Sequence, residues 1–226
     1  RGGILALPQN TKQVSLIVKI AAQNSIGIVP YGGGSGLVGG QVSPAKIPYI
    51  ILSLERMSAI KEIYPSENII IVEAGAILAE VQEAAKKVDR IFPLSLASEG
   101  TARIGGNLAT NAGGVNVLRY GSVRNLCLGL EAVLPDGSVF NGLNRLYKDN
   151  TGYDLRNLLI GSEGTLGIIT AASLKLSPKP SSNATALLAI KEPKVALRVL
   201  AIARSEVAEG ISALELMHRW INKTQR

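Results

Sequence analysis

Two glycine-rich segments, both expected to be loops, contain the residues of this chain whose types and spacing could do chemistry. The first, residues 29–40, reads VPYGGGSGLVGG, and the second, residues 104–114, reads IGGNLATNAGG. Glycine has no Cβ, so its backbone N–H groups can come close to a ligand and surround a phosphate group. Two such segments in one chain favour a ligand long enough to need two separate polar cradles.

A dinucleotide-binding interpretation of the first segment is tempting. Gly34, Gly36 and Gly39 have the spacing G-x-G-x-x-G, and Glu55 follows where a ribose-binding acid stands in NAD-binding folds. That fingerprint works only where the loop opens a helix whose N-terminus holds the pyrophosphate. Residues 40–48 contain two prolines and no helical stripe of apolar residues. We therefore reject an NAD site and expect a different use of these glycines.

Few other residues could do chemistry. Cys127 is the single cysteine and His218 the single histidine, so neither a disulfide framework nor a Cys/His metal site is expected. We interpret Cys127 as a buried small hydrophobe and His218 as a surface residue. Five charged residues near the glycine segments are expected to be surface or ion-pair residues: Glu99, Arg103, Arg119, Arg124 and Lys148. The sequence therefore assigns no catalytic residue and no metal ligand.

The composition indicates a folded chain with a basic surface. The 226 residues are 46% hydrophobic and 18% charged, and 24 Lys+Arg against 17 Asp+Glu give a net charge of +7. Aromatic residues make up only 4% and no dense Lys/Arg stripe occurs, which argues against a nucleic-acid partner. No apolar stretch approaches the length of a membrane span. The single cysteine favours a reducing, cytoplasmic compartment.

Hydrophobic periodicity and turn signals predict alternating helices and strands. Helices are expected over residues 11–24, 78–88 and 154–160, and strands over residues 27–30, 49–54, 59–64, 69–74, 91–92, 126–134, 138–141 and 167–176. Residues 178–182, PKPSS, form the best linker candidate. Beyond them, a strand over residues 184–190, a helix over 194–208 and a strand over 211–217 are expected to make one β-α-β unit.

Three segments in this order resemble FAD-linked oxidases of the vanillyl-alcohol oxidase (PCMH-type) superfamily: residues 30–37, residues 104–114, and GSEGTLGIIT at residues 161–170. Within that superfamily, KDNTGYDL at residues 148–155 resembles the D-lactate, D-2-hydroxyglutarate and glycolate dehydrogenase branch. The resemblance implies an α+β fold. It implies a two-lobed PCMH-type FAD-binding domain over residues 1–178, with the cofactor between the lobes, followed by the start of a β-α-β cap (substrate) domain over residues 179–226.

The resemblance also implies which residues contact FAD. Backbone amides of the first segment would hold the pyrophosphate, with the residues Gly32, Gly33, Gly34, Ser35, Gly36, Gly40 and Gln41. The second segment would lie along the ribityl chain and the isoalloxazine ring, with Gly105, Gly106, Asn107, Thr110, Asn111, Gly113 and Gly114. Glu163, Gly167 and Ile168 would lie on the adenine side or beside the ring. A turn role for Asn107 and Asn111 is the open alternative.

The implied function is the oxidation of D-lactate, D-2-hydroxyglutarate or glycolate by hydride transfer to flavin N5. Relatives that tether the flavin use a His or Cys in the FAD-binding loops; Ser35 follows Gly34 here, so non-covalent FAD is expected. In the family, the catalytic base, the carboxylate-binding cations and a metal site lie in the C-terminal part. We therefore expect this chain to be a piece of a longer protein and inactive alone.

Several alternatives stay open. The same fold serves alkylglycerone-phosphate synthases and cell-wall sugar reductases, and a flavin-free nucleotide-binding module is a rival from another class. The electron acceptor and the identity of the 2-hydroxy acid are unknown. A homodimer, and a membrane-associated or organellar location of the full-length protein, also stay open.

Overall fold

A small parallel sheet forms the N-terminal layer of the computed structural model, which describes residues 4–42 and 48–217. Its strands β1 (Ile4–Ala6), β2 (Gly27–Tyr31) and β3 (Tyr49–Ser53) are ordered β1-β3-β2. Helix α1 (Thr11–Gln23) connects β1 to β2. Both strands run parallel to β3, and strands that run in the same direction need a crossover connection of this kind. The Asn10 side chain caps this helix by accepting a hydrogen bond from the Gln13 N–H at 3.0 Å.

A five-stranded antiparallel sheet forms the second layer. Its strands are β4 (Ile60–Tyr64), β5 (Ile69–Glu73), β7 (Cys127–Val133), β8 (Val139–Gly142) and β9 (Ile168–Lys175), in the order β4-β5-β9-β7-β8. The central strand β9 is buried on both faces from Ile168 to Leu174. Its near-continuous apolar run is typical of a strand covered on both sides. Residues of both sheets and of α1 share one hydrophobic core.

Short helices cover the antiparallel sheet and close the core. They are α2 (Leu78–Lys86), α3 (Ile104–Ala109), α4 (Val117–Tyr120), α5 (Val123–Leu126) and α6 (Leu155–Leu159). A two-stranded ribbon pairs β6 (Arg90–Ile91) with β10 (Ser177–Pro178). Helix and sheet are mixed as the sequence predicts, and the α+β fold class is confirmed.

The second glycine segment differs from the sequence-based expectation of a loop. Residues 104–109 form helix α3, and only residues 110–116 continue as turns and irregular structure. Ile104 and Leu108 are fully buried, and both belong to the hydrophobic core. Packing of these two side chains therefore overrides the low helix propensity of Gly105 and Gly106.

The prediction of a β-α-β unit after residue 180 is wrong for both strands. Helix α7 (Pro193–Val207) is present, but the described residues 184–190 and 211–217 form no strand. A helix satisfies its backbone groups internally, whereas a strand needs a neighbouring strand for its hydrogen bonds. No residue of α7 is buried, and Leu187 is 85% exposed. An apolar run without a pairing partner does not make a strand.

Candidate functional site

The first glycine loop, residues 32–42, begins directly after strand β2. The Gln41 side chain donates from Nε2 to the Gly34 carbonyl at 3.1 Å and to the Gly36 carbonyl at 3.4 Å. Gly34 has φ +70°, a backbone conformation that residues with a side chain rarely adopt. Within the described residues after Gly40, a turn follows rather than a helix, with Val42 N–H donating to the Gly39 carbonyl. The two prolines in residues 40–48 stay the argument against an NAD fingerprint.

Two glycines are required by close packing rather than by a ligand. A Cβ on Gly33 would collide with the carbonyl group of Thr101. A Cβ on Gly105 would lie 2.8 Å from the Ala74 Cβ, and the Gly105 N–H donates to the Ala74 carbonyl at 2.7 Å. These contacts seat the first glycine loop and helix α3 against the same part of the core. They leave Gly32 and Gly106 facing each other, since a Cβ on Gly32 would lie 3.6 Å from the Gly106 Cα.

The third motif, residues 161–170, docks on the end of helix α3. The Gly161 N–H donates to the Leu108 carbonyl at 3.0 Å, and the Glu163 N–H donates to the Ala109 carbonyl at 2.9 Å. Glu163 has φ +52°, which is uncommon for a residue with a side chain. The backbone of this motif is thus bent to continue the wall that helix α3 begins.

These three segments line one open cleft with about 1030 Å³ of empty space, where the parallel sheet meets the antiparallel sheet. Its floor is apolar, and its rim consists largely of glycine backbone. The predicted site residues on its wall are Gly32, Gly33, Gly34, Ser35, Gly36, Gly40, Gln41, Gly105, Gly106, Asn107, Thr110, Glu163, Gly167 and Ile168. An apolar floor with separated polar groups suits a long ligand that has both flat apolar and charged parts.

Three predicted site residues do not line this cleft. The Asn111 side-chain oxygen accepts hydrogen bonds from the Ser122 hydroxyl at 2.9 Å and from the Arg124 N–H at 3.3 Å. The φ of +49° at Asn111 agrees with the open alternative of a turn role, although its side chain bonds Ser122 and Arg124 rather than its own backbone. Gly114 has φ +72°, and a Cβ there would collide with the Ser95 carbonyl. A Cβ on the third residue, Gly113, would press on Val117 at 3.3 Å.

Sequence reasoning missed the apolar residues of the cleft. They are Pro30, Tyr31, Val38, Leu52, Leu54, Ala74, Ala109 and Ile169, together with Gly164. A signal for four of them was present, because β2 and β3 are parallel and ligands lie at the carboxyl ends of such strands. Pro30, Tyr31, Leu52 and Leu54 stand at those ends.

Two arginines near the motifs are neither surface nor ion-pair residues, in contrast to the expectation. Arg103 lines the cleft and donates from Nη1 to the Gly75 carbonyl. Arg124 donates to the carbonyls of Asn157 and Ile160. Both guanidinium groups are half-buried and bind backbone oxygens. Cys127 is buried as predicted, and burial raises the pKa of its thiol to about 12.

One buried donor in the cleft wall has no partner in the described structure. Asn107 is only 5% exposed, and its Nδ2 atom makes no hydrogen bond. A buried amide donor without a partner is costly, so Nδ2 lowers the stability of the fold locally, while Asn107 as a residue lines the cleft. The Thr110 hydroxyl, by contrast, donates to the Gly106 carbonyl at 2.9 Å and has only lone pairs left to offer.

A metal site and a membrane-spanning helix are both absent from the part of the chain that the structure describes. Residues 4–42 and 48–217 contain no group of three or more His, Cys, Asp or Glu side chains that could hold a metal ion. None of the described helices is long and apolar enough to cross a membrane. His218 lies outside the described residues.

Curated relatives share about two-fifths of this chain's residues. The chain is 42% identical over 214 residues to D-2-hydroxyglutarate dehydrogenase, mitochondrial, of Bos taurus, covering 95% of this chain and 39% of the relative. It is 37% identical over 219 residues to a D-2-hydroxyglutarate–pyruvate transhydrogenase of Saccharomyces cerevisiae, covering 97% and 44%. The chain therefore spans about two-fifths of the length of these relatives.

Solved structures and a family model agree on the fold. A structure of alkyldihydroxyacetonephosphate synthase superposes with a TM-score of 0.70 at 24% identity, covering 79% of this chain and 32% of that one. A second structure of that enzyme gives 0.69 at 26% identity, with the same coverage. The likeness confirms the PCMH-type fold predicted from the three motifs. The model described as "FAD binding domain" matches residues 3–142, so the chain belongs to the FAD binding domain family.

Proposed function

We propose that this chain is the FAD-binding part of a flavin-dependent dehydrogenase that oxidises a D-2-hydroxy acid. The observation that carries the proposal is the convergence of three sequence-distant motifs on one cleft with a glycine rim and an apolar floor. Relatives named for D-2-hydroxyglutarate, at 42% and 37% identity, favour that acid over D-lactate and glycolate. The whole protein's reaction stays a proposal because the chain spans only part of these relatives.

The cleft residues fit FAD by their chemistry. The first glycine loop offers backbone N–H groups to the pyrophosphate and carries no acidic side chain. The apolar floor, which includes Leu52 and Leu54, suits a flat aromatic ring system. Asn107 adds a polar residue to the same wall. Bound FAD would supply the two-electron acceptor for oxidation of the hydroxyl carbon.

Within this proposal, FAD is held without a covalent bond. The described residues on the cleft wall include no histidine and no cysteine. Cys127 is buried in the core on strand β7, and Ser35 occupies the position after Gly34. Precipitating the loaded protein with acid should leave the yellow colour in the supernatant. Colour that pellets with the protein contradicts this part of the proposal.

We propose that the residues that react with the substrate lie outside the cleft described above. We propose an FAD-binding domain over residues 1–178 and the start of a cap domain over residues 179–226. The change from the sheet-bound strand β10 to exposed, irregular residues 181–192 supports a boundary near residue 178. The catalytic base, the substrate-binding cations and any metal ligands would then belong to other parts of the full-length protein.

A second candidate function is that of an alkylglycerone-phosphate synthase. It is favoured by a solved structure of alkyldihydroxyacetonephosphate synthase, which matches 79% of this chain with a TM-score of 0.69 at 26% identity. This support is weaker than that of the relatives named for D-2-hydroxyglutarate, at 42% and 37% identity. Assaying the full-length protein for oxidation of D-2-hydroxy acids separates the two candidates. A sugar reductase of the same fold is tested by the same assay.

Location and partners are proposed from the relatives' names. The bovine relative is named as mitochondrial, which favours an organellar location over the cytoplasmic one that the single cysteine suggests. A small 2-hydroxy acid remains the proposed substrate, with no nucleic acid involved. The electron acceptor and a homodimer remain predictions that sedimentation and acceptor screening can test.

Titration of the purified, flavin-stripped protein tests cofactor choice directly. FAD should raise its melting temperature and NAD should not, because a ligand stabilises only the state that it binds. FMN serves as the matched control, since it shares the flavin ring but lacks the adenosine half. Stabilisation by NAD alone would contradict the proposal and would indicate that the first glycine loop binds NAD. Stabilisation by neither FAD nor FMN would favour the flavin-free module.

A further inference from the structure

Arg124, on the short helix α5, holds the end of helix α6. Its Nη1 atom donates to the Asn157 carbonyl at 2.5 Å, and its Nη2 atom donates to the Ile160 carbonyl at 2.6 Å. The last carbonyl groups of a helix have no partner within the helix, so these two bonds complete its C-terminal end. The planar guanidinium group can reach both oxygens at once.

No carboxylate within residues 4–42 and 48–217 forms an ion pair with this guanidinium. Arg156 on helix α6 provides a contrast, because it pairs with Asp154 at 2.7 Å and also donates to the carbonyls of Cys127 and Leu128. Arg124 thus uses its charge on the oxygens at the C-terminal end of α6. Such oxygens carry partial negative charge and favour a cation.

The same arginine is tied to the second glycine segment. Its backbone N–H donates to the Asn111 side-chain oxygen at 3.3 Å. A Cβ on Gly161 would lie 3.0 Å from Arg124 Nη2 and 3.5 Å from the Asn111 Cβ. Arg124 therefore lies at the corner where the second segment, helix α6 and the start of the third motif meet.

From this corner the chain runs directly into the cleft wall. Gly161 donates to the Leu108 carbonyl, and two residues later Glu163 donates to the Ala109 carbonyl. Glu163 and Gly164 then line the cleft beside the first glycine loop, since a Cβ on Gly40 would lie 3.5 Å from Glu163 Oε2. Any movement at the end of helix α6 would shift this part of the wall relative to helix α3.

We propose that Arg124 is a positioning residue of the cofactor cleft, which fixes the third motif against the end of helix α3 without touching the ligand. The inference rests on the proposed function in one respect, namely that the ligand is FAD. The positioning itself is independent of the ligand. Because lysine cannot bond two carbonyl oxygens through a planar fork, the role requires a guanidinium group and not only a positive charge.

The first test is amide hydrogen exchange on the flavin-stripped, full-length protein. Arg124→Ala should increase exchange at the N–H groups of Gly161 and Glu163 by about tenfold or more, as expected for losing hydrogen bonds to a charged donor. Arg156→Ala is the matched control, since it removes a guanidinium from the same corner of the fold but leaves the second segment untouched. Equal exchange at Gly161 and Glu163 in the two variants overturns the proposal.

The second test is affinity for FAD. Arg124→Ala should raise the Kd for FAD by about tenfold or more, Arg124→Lys should recover little of this loss, and Arg156→Ala should stay within about twofold of wild type. Ethylguanidinium, which replaces the missing side chain, should restore FAD binding to Arg124→Ala, whereas the same concentration of NaCl should not. Full recovery by lysine would assign the effect to charge and overturn the proposal.

Two outcomes separate the inference from the proposed function. If wild-type protein does not bind FAD, the proposed function fails, and the exchange rates at Gly161 and Glu163 still decide the role of Arg124. If wild-type protein binds FAD and Arg124→Ala binds it equally well, the inference fails alone. Should Arg124→Ala not fold even with ethylguanidinium, Arg124→Lys carries both measurements.

Discussion

Gly32 and Gly106 face each other across the mouth of the cleft, so that a Cβ on Gly32 would lie only 3.6 Å from the Gly106 Cα. The first residue follows a strand of the parallel sheet, and the second lies in helix α3, which packs on strand β9 of the antiparallel sheet. The two lobes of the fold therefore approach each other backbone to backbone at this point. A side chain larger than a methyl group would separate the lobes or fill the cleft.

Gly106→Leu should block the cleft without unfolding the protein. A Cβ at Gly106 has 4.0 Å of clearance to the Gly32 Cα, but the rest of a leucine side chain would occupy the ligand's space. We expect the Kd for FAD to rise by about tenfold or more. Gly106→Ala is the control and should bind FAD while gaining up to about 1 kcal/mol of stability from helix propensity. Tight FAD binding by Gly106→Leu would contradict this account of the cleft.

Gly33→Ala should destabilise the fold itself. The new Cβ would collide with the Thr101 carbonyl group, which is backbone and cannot rotate away. Overpacking of this kind costs about 1–3 kcal/mol. Gly36→Ala is the matched control, since its Cβ would meet nothing within 4 Å. Urea unfolding of the two flavin-stripped variants measures the difference, and equal stabilities would show that the first glycine loop is not packed as described.

Asn107→Leu should separate stability from FAD binding. Removing the unpartnered Nδ2 donor should leave the flavin-free protein as stable as wild type or more stable, by about 1 kcal/mol. FAD binding should weaken by about tenfold, because Asn107 lines the cleft and leucine offers a ligand no hydrogen bond. Ser173→Ala is the control: its Oγ is also buried without a partner, but it lies on β9 away from the cleft wall. It should leave the FAD Kd unchanged.

The glycine pattern predicted the site better than it predicted local structure. The first and third motifs could be identified from the sequence because their glycines recur at fixed spacings. Glycines at fixed spacings indicate backbone conformations that other residues rarely adopt. Helix α3 could not be predicted, since burial of Ile104 and Leu108 outweighs the propensity of the two glycines between them. Whether Asn107 or Asn111 faces the cleft is equally hidden, because only the folded chain brings Ser122 to Asn111.

The failure after residue 180 has a different physical origin. Residues 184–190, ATALLAI, are predominantly apolar, and the strand prediction over residues 167–176 rested on a similar apolar run. Strand β9 forms because β5 and β7 pair with it on both sides. No described strand pairs with residues 184–190. Strand formation depends on partners, which a local pattern cannot reveal.

Cys127 should be unreactive in the folded protein. Burial raises the pKa of its thiol to about 12, which favours the neutral form over the reactive thiolate. Because the folded-state pKa exceeds the ordinary value of 9.0, the thiol's contribution to stability is complete below pH 9 and is lost as the pH rises towards 12. Residues 1–226 contain no other cysteine. A thiol-disulfide exchange reagent at pH 8 should therefore label the 226 residues only after they are unfolded in urea. Rapid labelling of the folded protein would contradict the burial of Cys127.

The 226 residues alone should bind FAD but fail to oxidise D-2-hydroxy acids. Oxidation needs a substrate held against the flavin and a positioned base for the hydroxyl proton. Residues 1–178 contain no histidine. The ionisable side chains on the described cleft wall are Tyr31, Arg103 and Glu163, and Arg103 is engaged with the Gly75 carbonyl.

The test compares the 226 residues with the full-length protein, after FAD loading of both samples has been checked by absorbance. The rate of dye reduction is measured with D-lactate, D-2-hydroxyglutarate and glycolate as substrates. We expect turnover in the full-length protein only, because the cleft of the 226 residues is open to water. Turnover by the 226 residues would place the base within them. Glu163→Gln would then be the first variant to assay, since Glu163 is the one carboxylate on the described cleft wall.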